Sequence, residues 1–218
     1  MNLVNPYLFA AGGAGFAFIG SASGTGNYVT ATTSAINTTG ATLLVVAFAD
    51  YASVPASVIT DSKGNTWNML TARTSSYARS RIGWCVPTSV GSGHTVTAYG
   101  YAGTYPAVAF LAFSGAAASP YDTENGSFTN AATSLSTGSL TPSVNNALVV
   151  AAVGIGNSTG CSIDNGFTLS EVEPFVGGNN FSLGLAYKIQ TTSTAVNPQW
   201  SWSGSVDAAA TIASFKPQ

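Results

Sequence analysis

Hydrophobic and polar positions along this chain recur mostly with a period of two, in short runs separated by turn clusters, and helical spacing is almost absent. Runs rich in Val, Thr, Phe, Tyr and Trp predict strands at 28–33, 43–49, 66–73, 81–86, 95–101 and 107–114. A second series follows at 135–140, 147–155, 167–172, 183–189, 199–203 and 210–215. Between them, Asp61 to Asn65, Gly91 to Gly93, Asp164 to Gly166 and Gly177 to Asn180 supply residues that accept a positive φ or cap their own backbone. Segments 43–49 and 147–153 are apolar at nearly every position, which predicts central strands covered on both faces by the opposing sheet and by loops or a neighbouring subunit. Segments 95–99 and 199–203 alternate instead, placing Trp200 and Trp202 on one face and hydroxyls on the other.

The two series resemble copies. Leu44 and Leu148, Val45 and Val149, and Val46 and Val150 are 104 residues apart, while Trp84 and Tyr187 are 103 apart and Phe113 and Phe215 are 102 apart. A weak internal repeat of about 85–90 residues follows. The predicted fold class is all-β: a two-sheet antiparallel sandwich, jelly-roll-like, with about 12 strands from two similar halves near 27–115 and 131–216. One sandwich domain, 27–218, would follow an N-terminal docking arm, 1–26, with 115–142 as the connector between halves.

Charge narrows the function. Only 14 of 218 side chains are Lys, Arg, Asp or Glu and the net charge is −2, so phosphate neutralisation on nucleic acid is not expected. Ser and Thr together number 53 and stand where ions usually would. No run of 18 apolar residues occurs, so membrane insertion is not expected either. Cys85 and Cys161 form no CxxC pair and read as two separate thiols, Cys85 in a strand and Cys161 in a loop. Residues 7–19 are apolar and uncharged, with small residues after them, in the manner of a signal peptide. No Lys or Arg precedes them, and Pro6, Gly12, Gly13 and Gly15 oppose a helix, so they read as an uncleaved docking segment. Its contact residues would be Asn5, Pro6, Tyr7, Leu8, Phe9, Phe16 and Phe18.

Candidate chemistry is sparse. The single histidine, His94, follows Gly93 at a strand start, and no Gly-x-Ser-x-Gly elbow accompanies it. Glu171 and Glu173 are the best-spaced pair of carboxylates, but Pro174 follows and a solvated strand edge is the simpler reading. Asp122, Glu124 and Asn125, or Asp61 and Asn65, offer hard oxygens for calcium without the spacing of a calcium loop. No catalytic residue, metal ligand or cofactor site is therefore assigned. Exposed aromatics remain as recognition chemistry: Tyr99, Tyr101 and Tyr105 near one strand end, with Trp200 and Trp202, are the candidate stacking residues for a sugar ring.

The opening Asn5-Pro6-Tyr7, followed by a Gly/Ala-rich stretch, resembles the start of tailed-bacteriophage virion proteins. The turn from Asp61 through Gly64, Asn65 and Thr66 to Trp67, the central aromatic Trp84 and the closing Phe215-Lys216-Pro217 resemble those of Ser/Thr/Gly-rich β-sandwich proteins of phages and environmental bacteria. The resemblance implies a non-enzymatic structural component of a virion, a capsid decoration or accessory protein or a tail or fibre subunit. Its partners would be other virion proteins and copies of itself. The alternative is a carbohydrate-binding or host-adhesion β-sandwich module whose partner is a host surface glycan.

Overall fold

A computed structural model describes residues 15–218. Among them are 15 strands and no helix: β1 (Ala17–Gly24), β2 (Thr30–Thr32), β3 (Leu43–Tyr51), β4 (Val58–Asp61), β5 (Asn68–Met69), β6 (Arg73–Thr74), β7 (Ala78–Cys85), β8 (Val96–Tyr99), β9 (Ala107–Ser114), β10 (Ala116–Ser136), β11 (Ala147–Ile155), β12 (Cys161–Ile163), β13 (Thr168–Glu173), β14 (Ser182–Gln190) and β15 (Gln199–Pro217). The fold is an all-β sandwich, and the ladders between its strands are antiparallel.

Two large sheets run β1-β9-β3-β7-β5 and β10-β15-β11-β14-β13, the same order in terms of each half's own strands. They stack face to face, with Leu43, Val45, Leu111 and Phe113 meeting Leu148, Val150, Leu185 and Phe215 in one core. The outer face of the first sheet, through Val46, Phe48 and Phe110, packs on Ala31, Ile59, Val96 and Ala98 of a small sheet ordered β2-β8-β4. The outer face of the second, through Val149, Val153 and Ile212, packs on Trp200 and Trp202 at the start of β15, where β12 and the end of β10 flank that strand. Each large sheet is thus covered on both faces by the molecule itself, which is why β3 and β11 carry no polar alternation.

The structure moves the phase of the repeat. Leu43 lies opposite Phe113 and Leu148 opposite Phe215, so β3 and β11 correspond with an offset of 105 where the sequence suggested 104. At 104 the paired residues face opposite sides: Val45 is in the central core and Val149 in the outer one. A run apolar at every position has no period from which to read its phase.

Three other boundaries differ. Residues 17–24 of the expected arm form β1, an edge strand of the sandwich. The expected connector holds the 21-residue strand β10, whose half-exposed side chains give no apolar stripe. Segments 199–203 and 210–215 belong to one 19-residue strand, β15, which passes between the layers at Gly204 with φ 82°.

Candidate functional site

His94 was the one candidate for nucleophile activation, and it is buried between a hydroxyl and a carboxylate. Its Nδ1 lies 2.8 Å from the Thr38 hydroxyl and its Nε2 lies 3.3 Å from Asp61 Oδ1. The three types match an acid–imidazole–hydroxyl order, but Thr38 and His94 are completely buried. The Thr38 hydroxyl also accepts the Gly91 N–H at 3.1 Å. The Nε2 approach to Asp61 is off the hydrogen-bond direction. Burial lowers the imidazole pKa below 6.5, with Asp61 opposing, so the ring is a neutral spacer holding the loop of Thr38 to that of Gly91. No surface for a substrate reaches it.

Six of the eight carboxylates are engaged in structure, whereas Glu173 and Asp207 make no side-chain hydrogen bond among the described residues. Glu171, on edge strand β13, accepts the hydroxyls of Ser21 and Ser23 of β1 at 2.5 and 2.8 Å. Glu124, on β10, accepts the Thr71 hydroxyl at 2.8 Å and the Thr71 N–H at 3.1 Å. Asp122 accepts Ser143 and Ser214; burial raises its pKa, but these hydrogen bonds outweigh burial and hold it below the usual carboxylate value. Asn125 donates to Ser139 O at 2.7 Å, and Asp61 accepts the Trp67 indole N–H at 2.8 Å. Among the described residues no three His, Cys, Asp or Glu side chains gather as a metal site.

Both cysteines are free and sit in strands, Cys85 ending β7 and Cys161 opening β12. Burial pushes each thiol up to about 12, which leaves too little thiolate for reaction at neutral pH.

The expected aromatic platform separates into three environments. Trp200 and Trp202 are core side chains, 0% and 8% exposed, and offer no face to a sugar. Their burial follows from the small layer they belong to: Gly184, on β14 beneath them, has no Cβ, and one placed there would meet Trp200 at 2.8 Å. Tyr99 and Tyr101 are exposed, at 58% and 63%, on and beside β8 of the small sheet. There Val58 and Thr30 stand directly opposite Tyr99, and Tyr28 is exposed nearby. No Lys, Arg, Asp or Glu occurs in 26–34, 54–60 or 95–106, so this face is uncharged. Tyr105 instead lines a cleft.

Of the docking-arm residues, Asn5, Pro6, Tyr7, Leu8 and Phe9 lie outside the described residues. Phe16 is buried edge-on against Phe113, and Phe18 stacks on Tyr187 with ring centres 5.2 Å apart.

The cleft lies at the end of the sandwich where β3 stops and β7 starts, and has a volume of about 540 Å³. Tyr51, Tyr77 and Tyr105 line it from the first half, and Phe175, Phe181 and Asp207 from the second. Tyr51 lies 6.2 Å from Tyr77 at 8° between planes and 6.1 Å from Phe181 at 17°, so the three rings form a near-parallel strip. Asp207 is 8% exposed, makes no side-chain hydrogen bond among the described residues, and burial raises its pKa. Of its rings, sequence reasoning had singled out only Tyr105; Tyr51, Tyr77, Phe175 and Phe181 stand at strand ends and in turns, where no alternation marks them, and the one further local signal was Phe175 and Phe181 flanking a Gly/Asn-rich turn.

No family model, no curated protein and no solved structure matches this chain.

Proposed function

We propose that the protein is a non-enzymatic structural component of a bacteriophage virion, a capsid decoration or accessory protein or a tail or fibre subunit, that docks on other virion proteins and on copies of itself. The observation that carries this reading is the uncharged outer face of the small sheet, where Tyr28, Val58, Tyr99 and Tyr101 are all exposed. Removing such a face from water costs no ion desolvation, and tyrosines contribute large, rigid contact area. The neutral, sealed environment of His94 supports a non-catalytic role. The phage assignment itself rests on the sequence resemblance.

The reading is tested by sedimentation velocity on the full chain and on a Val58→Thr, Tyr99→Ser double variant. Self-association at micromolar concentration that weakens at least about tenfold in the variant, with an unchanged melting curve, is expected for a contact centred on these residues. A chain that stays monomeric, or associates equally well without them, contradicts it.

A second reading, a carbohydrate-binding or host-adhesion module, is favoured by one observation: the tyrosine- and phenylalanine-lined cleft with its unpartnered acid.

A further inference from the structure

The seam between the halves opens into the cleft at one end, and the groups it presents are of two kinds. The first is the strip of Tyr51, Tyr77 and Phe181, in which the central ring, Tyr51, lies 8° from the plane of Tyr77 and 17° from that of Phe181. The second is a set of uncommitted polar groups. Asp207 offers a carboxylate, and the Asn157 amide makes no hydrogen bond among the described residues. Asn130 uses only Oδ1, accepting the Ser76 N–H at 3.0 Å. No described residue donates to the Asp207 carboxylate, whose oxygens remain open to the cleft and free to accept from a ligand. At about 540 Å³ the cleft falls within the roughly 300–1,000 Å³ of small-molecule sites. Gly156 lines it beside Asp207: a Cβ there would stand in ordinary contact, 3.7 Å from the Asp207 Cβ, so a larger side chain would occupy the space next to the carboxylate.

The ligand's chemistry follows by elimination. An anionic ligand is disfavoured by Asp207, and no Lys or Arg lines the cleft. The guanidinium of Arg79, on β7, is buried and committed to Asp50 and to the carbonyls of Ala52 and Val54. A quaternary ammonium ion is best held by ring faces that enclose it from several sides, whereas these rings form a strip. A strip of near-parallel rings suits the flat C–H face of a pyranose, and carboxylate with amides suits its hydroxyls. Hydrolysis needs a second facing carboxylate, and Asp207 is the only acid among the lining residues.

We infer that this cleft binds a neutral hexopyranose glycan, whose C–H face lies on the Tyr51–Tyr77–Phe181 strip and whose hydroxyls donate to Asp207. This rests on the second reading above, and it moves the glycan site from Tyr99, Tyr101, Trp200 and Trp202 to the seam.

The test is titration calorimetry of the full chain with glucose, galactose and mannose trisaccharides, a sialylated trisaccharide and tetramethylammonium. It is run on the wild type and on Tyr77→Ala, Asp207→Asn, Gly156→Val and Tyr99→Ser, each checked by thermal melting. Tyr77 is 58% exposed, so its truncation leaves the core intact and keeps the test valid should Asp207→Asn or Gly156→Val misfold. The expected result is binding of at least one neutral trisaccharide, weakened about tenfold or more by Tyr77→Ala and by each cleft variant that folds, and unchanged by Tyr99→Ser. Neutral-sugar binding that ignores the cleft variants overturns this site while leaving a glycan module standing. Preference for tetramethylammonium or the sialylated sugar overturns the ligand class. Binding of none of the probes overturns both the site and the second reading.

Discussion

Glu171 and Ser23 are 148 residues apart in the chain, yet the carboxylate and hydroxyl meet at 2.8 Å and join the edge of one large sheet to the edge of the other. Glu124 does the same on the opposite edge, through Thr71. Two carboxylates that the sequence offered for catalysis or calcium are thus edge clamps. Glu171→Ala should cost about 1–2 kcal/mol, the loss of charge-assisted hydrogen bonds at a half-exposed site, read as a lower urea midpoint. The residue types were visible in the sequence, but their partners were not, because nothing local encodes contact across so long a separation. His94 carries a pH dependence. Its folded pKa is depressed below 6.5, so below that value the unfolded chain binds more protons, and the contribution is present above 6.5 and lost as pH falls. Asp50, raised to about 6 by burial against the opposing pull of Arg79, acts in the other direction: its contribution is present below 3.8 and lost as pH rises through 6. Comparing wild type with His94→Gln isolates the histidine. The wild type should lose more stability than the variant on going from about pH 7 to about pH 5, measured by urea unfolding, and equal losses would contradict the assignment.

Elements were legible where both faces or one face had to be apolar. Strands β3, β9 and β11 announced themselves by composition, and in β3 and β11 the absence of polar alternation correctly implied cover on both sides. What covers them was not legible: the outer layers are short strands, β2, β4 and β12, of three or four residues each. Edge strand β10 was hidden for the converse reason, since an edge with half-exposed side chains can be built from Ser, Thr and Asn. Spacing between the sheets is set at particular glycines. A Cβ on Gly154 of β11 would come within 2.4 Å of the Arg79 carbonyl oxygen on β7 of the facing sheet. Gly154→Ala must therefore push the sheets apart and should destabilise by about 2–3 kcal/mol, as overpacking of a close-packed interior does. A loss below measurement error in chemical denaturation would show that the sheets are not held so closely.

At the scale of the molecule, the halves exchange aromatic residues. Phe18 of β1 stacks on Tyr187 of β14, and both pack edge-on against Phe113. In the other direction Tyr121 of β10 stacks on Trp84 of β7 with 6° between planes, and Trp84 packs edge-on against Phe215. Phe18 and Tyr121 hold corresponding positions, opposite Phe113 and Phe215, so each half lends one ring to the other about a pseudo-two-fold axis. Among the described residues the inner face of each large sheet is covered mainly by its counterpart, so neither half keeps its core when the other opens. Equilibrium urea unfolding tests this most directly, using variants that retain either Trp84 in the first half or Trp200 in the second as the sole tryptophan, the others replaced by phenylalanine. The account predicts that each variant unfolds in one transition, with the fluorescence midpoint matching that of far-ultraviolet circular dichroism on the same protein. A Trp84 or Trp200 signal that changes while half of the strand signal persists would mean that the halves stand alone, and would contradict it.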